Sequence, residues 1–345
     1  MKALVLEDID KLVYKDIPDP IMKSGEVLLK IKACGICSSD IPRIYTTGTY
    51  HFPTVPGHEF SGEIIDCAPD VDRSLIGKRA AVFPLLPCGK CDSCKEEEYA
   101  RCSNYSYFGS RCDGAFAEYI SVPVWNLVLC SDKIPYTTAA MCEPASVAKH
   151  CADAGKIKPG DTVTVIGTGT IGLIAALWAK SLGAKKVIIV GRRDESLDFA
   201  KNVGIVCTVN SEKENALEDY LKITGEKGAD VVLECVGRQK AINNAIMYAK
   251  KGGRVVLTGN PYGDITFKKD IYWKILRNEL TVTGTWNSSY KSTINNWKET
   301  ITALENGSLD IAKLITQKFS LKDYEKALAT VKDPKKFSVK VMFEM

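Results

Sequence analysis

From Pro159 onward the chain alternates apolar runs with helix-like stretches: TVTVIG, IGLIAALWAKSLGA, KVIIVG, DESLDFAKNVG, ADVVLECVG, AINNAIMYAKKG and GRVVLTG. Short runs that are apolar throughout, without a polar residue at every second place, read as strands buried on both faces, and the intervening helices supply the cover. Few folds satisfy this apart from a parallel sheet wound with helices on both sides. The expectation is a doubly wound α/β domain of the Rossmann type over residues 148–287. Inside it, Gly167, Gly169, Thr170, Ile171 and Gly172 belong to a GTGTIG turn that follows the strand TVTVI and opens a helix. Glycines there permit a tight turn, close approach of a pyrophosphate and packing of helix on strand, so this turn is the expected dinucleotide site.

A domain selective for NAD carries an acid roughly 20 residues beyond the glycines, on the ribose hydroxyl. Here Gly191 stands at that place, followed by Arg192 and Arg193. Loss of the carboxylate and gain of two guanidinium groups suit a 2′-phosphate, which favours NADP(H). Asp194 and Glu195 follow closely and leave NAD(H) open.

At 345 residues the chain exceeds the roughly 250–300 at which one core stops growing, so two domains are expected. Before Val82 it is built of short β-rich runs (KALVLE, EVLLKIKAC, FSGEIID, RAAVF) broken by Pro, Gly and Asp. Residues 84–113 have too few apolar groups for a core but hold Cys88, Cys91, Cys94 and Cys102. Four thiols at such spacing meet the tetrahedral, soft-ligand preference of a closed, structural zinc site. Disulfides and an iron–sulfur cluster are the alternatives.

Basic residues lie beside acidic ones and the net charge is only +4, which disfavours a nucleic-acid partner. No apolar run approaches the roughly 20 residues that span a bilayer, and the N-terminus lacks a signal-peptide pattern. A cytoplasmic protein with no membrane partner is expected. The 13 cysteines, an odd number in a long chain, then point to metal rather than to a disulfide framework.

A second set of potential ligands is dispersed: Cys37 in CGICSSD, His58 and Glu59 in VPGHEFSG, and Glu143 in MCEPASVAKH. Mixed S, N and O donors with fewer than four firm ligands describe an open, catalytic zinc. Individually each residue fits an ordinary core position equally well. The stretch GHEFSGEIIDCAPDV, with Gly62, Ala68 and Val71 in place, resembles the zinc-alcohol-dehydrogenase motif, and the chain is similar from end to end to the medium-chain zinc dehydrogenases. SDIPRIY, PLLPC, FGSRCDG, FAEYI and KILRNELTVTGTWN are most similar to its polyol branch.

The resemblance implies a GroES-like, β-rich catalytic domain made of residues 1–147 and 288–345, with two zinc ions per chain. It implies Cys37 and His58 as catalytic-zinc ligands, Glu143 as the third position, directly or through water, and Glu59 as a group that approaches the metal during ligand exchange. Ser39 would hydrogen-bond the substrate alcohol, and Asp40 would orient the ligating histidine. Liver-type members continue the proton relay with a histidine where this chain has Pro42, so the proton needs another exit, with Glu143 a candidate.

The implied reaction is hydride transfer between a nicotinamide cofactor and a secondary alcohol of a polyol or polyol phosphate. Arg43, Tyr45, Tyr50, His51, Arg111 and Lys274 are available for such a substrate. A simple secondary-alcohol dehydrogenase or ketone reductase using NADP(H) is the second reading. A catalytically silent dinucleotide-binding protein is the third, and the presence of Cys37 and His58 argues against it. A homodimer or homotetramer is expected.

Overall fold

Strand Glu26–Ile36 organises the first half of the structure. Val27, Leu29 and Ile31 alternate inward, and from Ala33 to Ile36 every residue is buried, so both faces are covered where the strand ends. It pairs antiparallel with Glu59–Cys67, Lys340–Glu344 and Tyr119–Pro123, which extends into a sheet with Arg79–Val82, Leu127–Cys130 and Ile315–Phe319. Gly35 stands opposite Glu59 and Ile36 opposite Val341. This register brings three remote parts of the chain, around positions 37, 58 and 340, to one end of the sheet.

The computed structural model describes all 345 residues and divides into two units, Met1–Glu143 with Ser289–Gly307 and Ile311–Met345, and Pro144–Ser288 with Ser308–Asp310. The boundaries expected from sequence lay at 147/148 and 287/288; a single helix, Cys142–Ala154, runs through the first of them. The cysteine-rich lobe has little regular structure: a two-residue hairpin pair, Leu85–Leu86 with Ser106–Tyr107, and the short helix Asp92–Lys95. An aromatic contact attaches it to its unit, with Tyr99 edge-on to Trp125 at 5.0 Å.

The second unit holds six parallel strands: β1 (Thr162–Ile166), β2 (Lys186–Gly191), β3 (Cys207–Asn210), β4 (Ala229–Glu234), β5 (Ala249–Leu257) and β6 (Thr281–Gly284). Helices α1 (Thr170–Ser181), α2 (Asp194–Asn202), α3 (Ala216–Thr224), α4 (Gln239–Tyr248) and α5 (Lys269–Arg277) connect them. The spatial order is β3-β2-β1-β4-β5-β6. This is the doubly wound order whose direction reverses between β1 and β4, where such sheets bind dinucleotides. In this apolar core Tyr220 donates to the Tyr248 carbonyl at 2.7 Å and meets Thr164 Oγ1 at 3.1 Å. No helix is long and apolar enough to cross a membrane.

Candidate functional site

All 13 cysteines are free thiols. In the lobe, the ligand atoms of Cys88, Cys91, Cys94 and Cys102 lie within 4.8 Å of one another. Sulfur–sulfur distances are 3.5 Å for Cys91–Cys94, 3.8 Å for Cys91–Cys102 and 3.9 Å for Cys88–Cys94. A tetrahedron with zinc–sulfur bonds of about 2.3 Å has edges of about 3.8 Å, so the cluster fits one such ion. Backbone N–H groups of Ser103 and Cys94 favour thiolate at Cys91 and lower its pKa to about 6, while burial pushes Cys94 up to about 12.

The second cluster is at the sheet end described above. Cys37 follows strand Glu26–Ile36, and His58 and Glu59 lead into the strand paired with it; their ligand atoms also lie within 4.8 Å of one another. His58 and Glu59 are buried, and Cys37 is half-buried. Asp40 is completely buried; its Oδ2 accepts from the Cys37 N–H at 2.9 Å and its Oδ1 faces His58 Nδ1 at 3.4 Å. Neither Asp40 Oδ1 nor His58 Nδ1 has a well-formed hydrogen bond. A carboxylate turned to one ring nitrogen leaves the other as ligand, the arrangement found behind metal-binding histidines. Burial opposes charge on His58, but the nearby Asp40 carboxylate and Cys37 hold its pKa well above the usual range. The chemistry of this pocket favours a cation.

Glu143 is not among the converging ligands. Its buried carboxylate accepts from the Tyr107 hydroxyl at 3.2 Å, and burial, together with the neighbouring Glu59 charge, raises its pKa to about 7. Glu59 is nearer the other donors but is also held by Lys340, whose Nζ lies 2.8 Å and 2.5 Å from its two oxygens and 3.2 Å from the Ile36 carbonyl. A Cβ on Gly35 would fall 2.2 Å from Glu59 Oε2, so glycine makes room for this carboxylate. Lys340 and Tyr107 were not foreseen. Nothing local marks Lys340, which reaches Glu59 from 281 residues away, and Tyr107, edge-on to His58 at 5.7 Å, is one of 14 tyrosines.

Ser39 accepts a hydrogen bond from Arg43 Nη1 at 3.0 Å. The other substrate candidates have their own contacts. Arg111 lies between the rings of Tyr50 and Tyr105, 4.2 Å from each centroid. Tyr45 stacks under Lys332 at 4.0 Å, His51 Nδ1 meets the Pro53 carbonyl at 3.1 Å, and Lys274 donates to the Met247 carbonyl at 2.8 Å.

In the second unit Gly167 ends β1 at φ +118°, and Gly169 caps α1, which begins at Thr170-Ile171. A Cβ on Gly172 would sit 2.0 Å from the Gly167 carbonyl oxygen, whereas one on Gly169 would meet nothing within 4 Å. The chain's own packing demands glycine at 172 but not at 169; there, the open space beside a helix N-terminus suits a phosphate. At the end of β2, a Cβ on Gly191 would lie 2.6 Å from Thr168 Cγ2, so any side chain there requires the Thr168 side chain to shift. The nearest acid, Asp194, is engaged by Asn210 at 2.8 Å and by Lys213 at 3.7 Å, and Arg192 and Arg193 are exposed beside it.

A glycine turn in one unit and a mixed-donor cluster able to hold a metal in the other are what a zinc-dependent oxidoreductase acting on CH–OH groups requires. The chain belongs to the zinc-binding dehydrogenases: residues 23–132 match the alcohol dehydrogenase GroES-like domain and residues 170–306 the zinc-binding dehydrogenase domain. It is 32% identical to sorbitol dehydrogenase of Bacillus subtilis, covering 99% of this chain and 96% of that one. It is 33% identical to galactitol 1-phosphate 5-dehydrogenase of Escherichia coli K12, covering 96% of each. The crystal structure of galactitol-1-phosphate dehydrogenase from Escherichia coli superposes with a TM-score of 0.93 at 32% identity, covering 100% of both chains. Two further structures, each 27% identical and covering 100% of this chain and 99% of the other, differ in cofactor. A zinc-binding dehydrogenase of Sinorhizobium meliloti 1021 holds NADP (TM-score 0.91), and an alcohol dehydrogenase of Escherichia coli CFT073 holds NADH (TM-score 0.92).

Proposed function

We propose that this enzyme oxidises a secondary alcohol of a polyol or polyol phosphate, or reduces the matching ketone, with NADP(H) as preferred cofactor. The observation that carries the reading is the convergence of Cys37, His58 and Glu59 within 4.8 Å. Zinc bound there supplies a Lewis acid for the alcohol oxygen, and the nicotinamide supplies the hydride acceptor. Cys37 and His58 hold the metal, Glu59 is the nearest further ligand, and Glu143 stands behind with Tyr107. Asp40 keeps the His58 ring oriented through Nδ1. Ser39 binds the alcohol hydroxyl and, as its Oγ takes that proton, releases its own hydrogen to water. Pro42 carries no side-chain group to relay it further, and Arg43, always charged, accepts no proton.

The second zinc is structural and belongs to Cys88, Cys91, Cys94 and Cys102; thiols in this number suit a reducing compartment, hence the cytoplasm. Gly167, Gly169, Thr170, Ile171 and Gly172 receive the pyrophosphate, and Gly191, Arg192 and Arg193 the 2′-phosphate. Strand β6 is paired on one side only, and Val282, Trp286, Tyr272, Trp273 and Leu276 are exposed on and near it, which supports a homo-oligomer through this edge.

The test is a panel of galactitol 1-phosphate, sorbitol and 2-butanol, each with NAD and NADP. A polyol with NADP should be preferred, and Arg192→Glu should lower kcat/KM for NADP by on the order of 10-fold while sparing NAD, from loss of a charge-assisted hydrogen bond. An order-of-magnitude preference of the wild type for NAD refutes the cofactor assignment.

A further inference from the structure

We infer that Arg43 sets the substrate class of the site: its guanidinium takes an oxygen on the carbon next to the one being oxidised, so that vicinal polyols are selected over monohydric alcohols. The inference rests on the functional reading above, because that reading places the reacting hydroxyl at Ser39.

Arg43 follows Ser39 by four residues, and the helical turns Asp40–Pro42 and Arg43–Thr47 bring the two side chains to one face. One N–H of Nη1 donates to Ser39 Oγ at 3.0 Å. A serine hydroxyl has one hydrogen and two lone pairs, so Ser39 keeps one hydrogen and one lone pair for a substrate oxygen. A guanidinium carries five N–H donors in a fixed plane and never gives up its charge. Arg43 places one on Ser39. Asp40 Oδ1, at 3.5 Å, is a charge partner rather than a well-formed hydrogen bond. The remaining N–H groups meet no acceptor in the chain, and 28% of the side chain is open to solvent.

These donors lie beside the oxygen that Ser39 would bind. A monohydric alcohol leaves them to water, whereas a hydroxyl on the adjacent carbon of a polyol comes within their reach. Arg43 cannot carry a proton away from Ser39, so its place against that hydroxyl is not that of a relay. The competing account is that Arg43 only braces Asp40 and Ser39, in which case its loss affects every alcohol alike.

The experiment compares wild type, Arg43→Met and Arg43→Lys on 2,3-butanediol and 2-butanol, with zinc content verified and the preferred cofactor saturating. Arg43→Met should lose on the order of 10- to 100-fold in kcat/KM for the diol and less than about threefold for 2-butanol, as expected for one charged hydrogen bond. Arg43→Lys, which keeps the charge without the fork, should recover part of the diol preference. Calorimetric titration of the diol into enzyme saturated with reduced cofactor, where no hydride moves, should show the same loss of affinity in Arg43→Met. Equal losses on both alcohols, or unchanged diol binding, overturn the inference. A wild type that oxidises both alcohols equally well overturns it alone; one that holds zinc and cofactor yet oxidises neither of them, nor sorbitol or galactitol 1-phosphate, overturns the functional reading as well.

Discussion

Replacing Cys37 with alanine is expected to lower kcat/KM by at least about 1,000-fold while leaving the fold intact, since a Lewis acid contributes several kcal/mol and each 1.4 kcal/mol is tenfold in rate. Cys37 is the half-buried member of its cluster, sits just after the last residue of strand Glu26–Ile36, and fills no large volume. The sheet register that brings His58 and Glu59 beside it is made by backbone pairs such as Gly35 with Glu59, which the substitution does not touch. Steady-state kinetics, zinc analysis and far-ultraviolet circular dichroism separate the outcomes. Loss of one zinc per chain with an unchanged spectrum is expected. A variant that keeps wild-type turnover removes Cys37 from the chemistry.

Lys340→Met should have the largest effect on stability. Lys340 and Glu59 are only 3% and 2% exposed, and the ammonium group is satisfied by both Glu59 oxygens and the Ile36 carbonyl. Removing one partner of such a buried pair strands the other charge and costs about 3–5 kcal/mol, far more than a surface pair would. Chemical denaturation of zinc-replete protein measures this. The double variant Lys340→Met/Glu59→Gln should regain much of the loss, because neither charge then remains alone. If Lys340→Met by itself is no less stable than wild type, the pair does not hold this end of the sheet.

Features carried by local pattern were legible in the sequence. The apolar, non-alternating runs after Pro159 led to the parallel sheet because burial on both faces leaves them no other arrangement. The four lobe cysteines, packed within 15 residues, announced a metal because their spacing is itself the site. The second cluster was legible only through resemblance, since Cys37, His58 and Glu59 are ordinary core residues when read one at a time.

What stayed hidden depends on distances between remote segments. The resemblance put Glu143 ahead of Glu59 as third ligand position; in the structure it is the Glu59 carboxylate that lies within 4.8 Å of the Cys37 and His58 ligand atoms, while Glu143 accepts from the Tyr107 hydroxyl. The Lys340 contact with Glu59 comes from pairing of the last strand with Glu26–Ile36. At Gly191 the missing carboxylate was visible, but the closeness of the Thr168 side chain was not. Arg43 was within sight, since its i+4 spacing from Ser39 is a helical signal, yet nothing in the spacing announced which atom it would meet.

The central claim is that hydride transfer depends on a metal held by Cys37 and His58, apart from the one in the lobe. The most direct measurement follows zinc content and polyol oxidation together during graded chelation. Activity should fall in step with the first zinc lost per chain, while the closed four-cysteine site retains its ion longer, and return when zinc is added back. Protein verified as metal-free that still turns over at the full rate would contradict the account.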